Sequence, residues 1–81
     1  MNIKVIYFAV YSELLGKREE LLKLEEGATV RLAFEKCTSI LSDRDELLKA
    51  TLFAINEEYV EPSTLLQDGD ELVFIPPVSG G

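Results

Sequence analysis

A chain of 81 residues, 47% of them hydrophobic, fits a single small globular domain and is too apolar to be disordered. Its net charge of −7 argues against binding to nucleic acid phosphates and favours basic protein partners. The sequence contains no histidine and one cysteine, Cys37, which excludes Ser-His and Cys-His catalytic pairs, histidine-ligated metals and an internal disulfide.

The first half of the chain predicts two strands followed by the main helix. Residues 3–8 are rich in β-branched and aromatic side chains, and residues 19–24 form a second strand after a short helical turn at 12–16. Thr29 is suited to cap the start of the main helix. The apolar residues after it recur at helical spacing and predict one buried stripe: Val30, Ala33, Phe34, Cys37 and Leu41.

The second half predicts a short helix within residues 42–50 and strands at 52–56, 59–60 and 71–75, separated by turn signals. One main helix against one mixed sheet is an α+β design, and it fits a ubiquitin-like β-grasp. The order of the strands within the sheet does not follow from the sequence. We expect residues 1–75 to form the β-grasp domain and residues 76–81 to form an extended C-terminal tail.

The sequence also predicts a cytoplasmic protein. No apolar run approaches the roughly 20 residues that are needed to cross a bilayer. The first residues lead directly into strand-like sequence and lack the layout of a signal peptide.

The final pair, Gly80-Gly81, is the main candidate for chemistry, although a frayed terminus is the plain alternative. Glycine lacks a Cβ, so the pair can thread a narrow channel, and Pro76-Pro77 stiffen the approach to it. A carboxylate on Gly81 is a poor electrophile, but adenylation makes it reactive, and attack by sulfide then gives a thiocarboxylate. Such a carrier needs no catalytic side chain, in line with the absence of histidine.

The other candidate sites are weaker. Cys37 lies on the apolar stripe, which predicts a buried structural thiol, because a catalytic thiolate needs an exposed and electropositive setting. Asp68, Asp70 and Glu71 lack the spacing of a calcium loop and predict a turn with solvated acids. The acidic residues at 25–26 and 43–46 are likewise expected to be solvated.

Alternation along the strands predicts an apolar surface on the sheet face that the main helix does not cover. Lys4, Asn56, Glu61 and Glu71 mark the outward positions of their strands. The predicted partner surface consists of the large residues that share this parity: Ile6, Phe8, Leu52, Tyr59, Val73 and Ile75. Such a patch usually marks an interface, unless loops or the short helix after Ser42 cover it. Aromatic and bulky aliphatic residues dominate interface energetics, and the predicted anchors are Phe8, Tyr59 and Ile75.

The end of the chain, residues 68–81 with the closing Pro-Pro-Val-Ser-Gly-Gly, resembles the small subunit of molybdopterin synthase (the MoaD family). Residues 3–9 and 13–16 resemble the first strand and loop of that family. Thr29-Val30 before the helix and residues 54–56 in the third strand fit the same pattern. The resemblance therefore covers most of the chain.

The resemblance implies a sulfur carrier. An E1-like enzyme would adenylate Gly81 with ATP, and a sulfur donor would then form the thiocarboxylate. The outward sheet face would dock the large synthase subunit in a heterotetramer, and sulfur would pass there to cyclic pyranopterin monophosphate. The large subunit would hold the catalytic side chains, so this chain would be a co-substrate with no permanently bound cofactor or metal. The residues that would enter the large subunit's active site are Pro76, Pro77, Val78, Ser79, Gly80 and Gly81.

Three alternatives stay open at this point. The chain could carry sulfur for thiamin synthesis or tRNA thiolation, which share the fold and the diglycine. It could be a protein modifier that joins Gly81 to lysines, or an interaction module with no tail chemistry. The diproline and the length favour the molybdopterin pathway.

Overall fold

The computed structural model describes residues 1–76. Five strands and three helices form in that part of the chain. In chain order they are β1 (Asn2–Tyr7), α1 (Val10–Leu15), β2 (Glu19–Lys23), α2 (Val30–Cys37), α3 (Arg44–Ala50), β3 (Leu52–Ile55), β4 (Glu58–Val60) and β5 (Glu71–Ile75).

The strands form one mixed sheet in the order β2-β1-β5-β3-β4. The central pair, β1 and β5, runs parallel, with Lys4 opposite Glu71 and Tyr7 opposite Phe74. The other neighbouring pairs are antiparallel. This order could not be derived from the sequence, but the sheet and its helix confirm the predicted α+β, β-grasp fold.

Helix α2 covers one face of the sheet. Thr29 caps it as predicted, because its side chain accepts a hydrogen bond from the Leu32 N–H at 3.2 Å. The buried Phe34 ring lies 5.3 Å from Phe74 and 5.6 Å from Phe53, measured between ring centroids. These aromatic contacts join the helix to the two strands beneath it and form the centre of the core.

The main helix is shorter than the apolar stripe predicts. It ends at Cys37, and Leu41 lies beyond it, half-buried, in the following turn. The Thr38 hydroxyl donates to the Phe34 carbonyl oxygen at 2.7 Å, and the Leu41 N–H then bonds to the Thr38 carbonyl oxygen at 2.9 Å. The turn that follows Thr38 therefore replaces the last predicted helical turn.

The short helix α3 packs on the same side of the sheet as α2. Its Leu47 and Leu48 side chains contact the buried core. The Thr51 hydroxyl donates to the Leu47 carbonyl oxygen at 2.5 Å and is itself hydrogen-bonded to the buried Tyr11 hydroxyl. Helix α3 therefore leaves the opposite sheet face open. Across residues 1–76, no helix has the length and hydropathy of a membrane span.

Candidate functional site

The strand that leads to the tail is fixed along its whole length. β5 lies between β1 and β3, and its Leu72 and Phe74 side chains are fully buried. Ile75, the last residue of the strand, lies opposite Leu52 of β3. Pro76 follows it, half-buried. The remaining predicted tail residues lie outside the described part of the chain: Pro77, Val78, Ser79, Gly80 and Gly81.

The predicted partner surface forms a continuous patch, which we call the outer face. Its members are Ile6, Phe8, Leu52, Tyr59, Val73 and Ile75. Phe8, Leu52 and Tyr59 are 51%, 55% and 73% exposed, whereas the other three are half-buried between neighbouring strands. Ile6 lies opposite Val73, which lies opposite Ala54. The patch is apolar, uncovered in the described part of the chain, and continuous with the strand that leads to the tail.

The outer face extends further than predicted, because β2 adds Leu21. This side chain is 75% exposed and lies opposite Lys4. Glu19 lies opposite Ile6, and its carboxylate pairs with the Lys4 ammonium group at 3.2 Å. Residues that lie opposite each other in a sheet point to the same face, so Leu21 points outward like Lys4. Predicting this position would have required the register of β1 against β2.

An unusual turn follows β1 at the end of the sheet from which the tail leaves. Ala9 has φ 48° and ψ −121°, the conformation of the first central residue of a type II′ turn, which strongly favours glycine. The Tyr11 N–H bonds to the Phe8 carbonyl oxygen at 3.0 Å, and the Ser12 hydroxyl donates to the Ala9 carbonyl oxygen at 2.8 Å. The turn holds Phe8 at the outer face. No glycine or proline marked it in the sequence.

The predicted burial of Cys37 is confirmed, since the residue is only 8% exposed. Burial raises the pKa of its thiol to about 11, although a hydrogen bond with Tyr7 acts in the opposite direction. The thiol is therefore protonated near neutral pH, which makes it a poor nucleophile.

A partly buried hydroxyl–carboxylate pair, which the sequence did not predict, lies next to Cys37. The Tyr7 hydroxyl donates to the Glu20 carboxylate, which also accepts from Lys17 Nζ at 3.2 Å. Burial raises the pKa of Glu20, but the hydrogen bonds from Tyr7 and Lys17 outweigh it and hold that pKa below its usual value. Glu20 lies opposite Val5 on the core side of β2, so the pair connects the sheet edge to the core.

The acidic turn before β5 is less solvated than predicted. Asp70 is buried, and its carboxylate accepts from the Gln67 N–H at 2.8 Å and from the Asn56 side-chain amide at 3.3 Å. Asp68 accepts from the Asn2 N–H at 2.7 Å. These carboxylates satisfy backbone and amide donors, so their role in this structure is to hold the turn against the sheet.

Comparison with known proteins identifies relatives over nearly the whole chain. The ThiS family model matches residues 5–81. The chain is 40% identical over 83 residues to the molybdopterin synthase sulfur carrier subunit of Chlamydomonas reinhardtii, with 100% of both proteins covered.

Solved structures show the same fold. A Pyrococcus furiosus protein assigned as subunit 1 of molybdopterin converting factor is 33% identical, with a TM-score of 0.77. The match covers 96% of this chain and 99% of that one. Small archaeal modifier protein 1 of Haloferax volcanii is 25% identical with a TM-score of 0.82, over 95% of this chain and 98% of that one.

Proposed function

Because the chain belongs to the ThiS family, we propose that it is a cytoplasmic sulfur carrier subunit of molybdopterin synthase. The observation that carries the proposal is its full-length similarity to a protein of that name. The family match extends through Gly81, the residue whose carboxyl group would carry the sulfur.

In the proposed reaction, an E1-like enzyme joins the Gly81 carboxylate to the AMP part of ATP and releases pyrophosphate. A sulfide equivalent from a donor attacks the acyl carbon, and AMP leaves as the thiocarboxylate forms. In the large synthase subunit the thiocarboxylate gives its sulfur to cyclic pyranopterin monophosphate, and hydrolysis returns the carboxylate. The reacting atom lies on the main chain, so the carrier's side chains are needed only for folding and docking.

The outer face supports a large-subunit partner. It presents Phe8, Leu52 and Tyr59 to solvent on the side that α2 and α3 leave uncovered. An exposed apolar patch of this kind marks an interaction surface. It is continuous with β5, so a partner docked there would also lie beside the start of the tail at Pro76. One surface would then provide binding and direct Gly81 towards the partner's active site.

Intact-mass measurement tests the proposal. The purified chain is incubated with its E1-like enzyme, ATP and a sulfur donor, and we expect a mass gain equal to the replacement of one oxygen by sulfur. Addition of the large subunit and the pterin substrate should then restore the original mass. A chain that is adenylated but never gains sulfur would contradict the proposal.

Protein modification is a second candidate, favoured by the similarity to small archaeal modifier protein 1. Gly81 would then form an amide bond to a lysine of another protein after the same activation. The same mass analysis separates the two functions, because a modifier is found attached to larger proteins and a sulfur carrier is recovered as the free thiocarboxylate.

A further inference from the structure

A groove of about 680 Å³ lies beside β4. β4 is the edge strand of the sheet, and β3 separates it from β5, the strand that leads to the tail. Its apolar lining includes Leu48 from α3, Leu52 from β3 and Val60 from β4. Charged side chains at its margin are Arg31, Lys49 and Glu61. The groove therefore combines an apolar floor with a charged rim, the combination that fixes both an apolar side chain and a polar group of a ligand.

The rim of the groove is not acidic, although the molecule as a whole is. The chain as a whole carries −7, whereas two cations and one carboxylate line this groove. The Arg31 guanidinium pairs with Glu35 at 3.1 Å on its own helix. Lys49 makes no ion pair within the described residues 1–76. A carboxylate brought to the groove could therefore pair with Lys49.

The neighbouring edge of the sheet has open backbone groups. Asn56 and Glu57 both have positive φ, which gives the two-residue type I′ hairpin between β3 and β4. The closing pair of such a hairpin, Ile55 and Glu58, is hydrogen-bonded, so the next pair, Ala54 and Tyr59, is not. The Tyr59 N–H and carbonyl therefore point away from β3. In residues 1–76 no strand pairs with that side of β4.

We propose that the groove binds a short extended segment of the large-subunit partner, with one apolar side chain in the groove and a nearby aspartate or glutamate on Lys49. This proposal rests on the proposed function, which supplies the large subunit as the partner. Leu52 and Tyr59 belong both to the groove and to the outer face, so one partner could contact both surfaces. A partner that covers the outer face reaches the groove by passing over the β4 edge. Its backbone would pair with Tyr59 and extend the sheet by one strand.

Charge reversal at Lys49 tests the carboxylate contact. Lys49→Glu should weaken the complex with the large subunit roughly fivefold, measured by calorimetric titration at low salt. Lys36→Glu is the matched control, because Lys36 lies in the last turn of α2 as Lys49 does in the last turn of α3. It makes the same change of charge away from the groove. Thermal unfolding of both variants verifies that each is folded.

Amide hydrogen exchange tests the strand pairing. The Tyr59 amide should exchange more slowly in the complex with the large subunit than in the isolated chain. The proposal is supported if Tyr59 exchange slows and Lys49→Glu weakens binding more than Lys36→Glu does. It is overturned if exchange at Tyr59 is unchanged, or if the two charge reversals have equal effects. If Phe8→Ala weakens binding while Lys49→Glu does not, only the groove proposal fails and the proposed function stands.

Discussion

Ile75 lies directly opposite Leu52 across the β3–β5 pair. The last residue of the strand that leads to the tail is thus held in the sheet, and Leu52 is itself half-exposed at the outer face. Leu52 and the start of the tail are therefore separated by one strand spacing of about 5 Å. On the proposed function, a partner docked at the outer face would receive the tail from a fixed point.

Removal of Gly81 should abolish activation and leave the fold intact, because the buried core of the described structure lies within residues 3–74. ATP-dependent adenylation by the E1-like enzyme measures the first effect, and thermal unfolding measures the second. One residue added after Gly81 should be equally damaging, since it moves the carboxylate away from the nucleotide. Normal adenylation of the shortened chain would contradict the assigned role of Gly81.

Truncation at the outer face should weaken docking more than folding. Phe8→Ala and Ile75→Ala should each cost about 1–3 kcal/mol of binding to the large subunit, because buried anchors dominate interface energetics. Calorimetric titration measures the affinity. Ile40→Ala is the control, since Ile40 is about as exposed as Tyr59 of the outer face but lies in the turn after α2. Unchanged affinity for both outer-face variants would refute this docking surface.

Cys37 should be dispensable for sulfur transfer. Cys37→Ala removes a small buried side chain and should cost at most about 2 kcal/mol of stability. The variant should still form the Gly81 thiocarboxylate, as measured by intact mass. A folded variant that no longer accepts sulfur would show that the thiol takes part in the chemistry.

Alkaline conditions should weaken the fold partly through Cys37. Burial raises the pKa of this thiol from 9.0 to about 11. The folded state therefore keeps a proton that the unfolded chain releases, and this contribution to stability is full below pH 9 and lost as the pH rises towards 11. Urea unfolding should show that the free energy of unfolding falls less steeply between pH 9 and 11 in Cys37→Ala than in the unsubstituted protein. If it falls equally in the two proteins, the thiol is not a cause of the loss.

Ala9→Gly should stabilise the protein by about 1 kcal/mol, because glycine adopts the type II′ turn conformation without a Cβ clash. Ala9→Val should be destabilising, since a branched side chain increases that clash. Denaturant unfolding of the two variants measures both effects. If glycine is no more stable than alanine, then Ala9 is not strained.

The sequence predicted β1 and β5 well because each strand carries a charged residue, Lys4 or Glu71, that marks its outward face. β2 offered no such marker, because Glu19 and Glu20 point to opposite sides. Glu20 is directed towards the core, where Tyr7 and Lys17 compensate its burial. A partly buried carboxylate with its partners in other elements is a tertiary arrangement, which local alternation does not reveal.

Neither the early end of α2 nor the turn at Ala9 is marked by a glycine or proline. α2 ends at Cys37, although the apolar spacing continues to Leu41. Ala9 adopts a glycine-like conformation that its own sequence does not favour. For the tail, by contrast, the sequence was informative and the structure was not. The Pro-Pro-Val-Ser-Gly-Gly ending is distinctive in sequence, and its predicted role stays a prediction because residues 77–81 lie outside the described structure.

The central parallel pair has a consequence for biosynthesis. β1 is translated before every other element of the described structure and β5 after every other, yet the two lie side by side in the middle of the sheet. The core cannot close until β5 has been synthesised, and contacts so distant in sequence slow folding. A nascent chain that has not yet reached β5 therefore lacks both the finished outer face and Gly81. On the proposed function, docking and charging would both have to wait for the synthesis of β5.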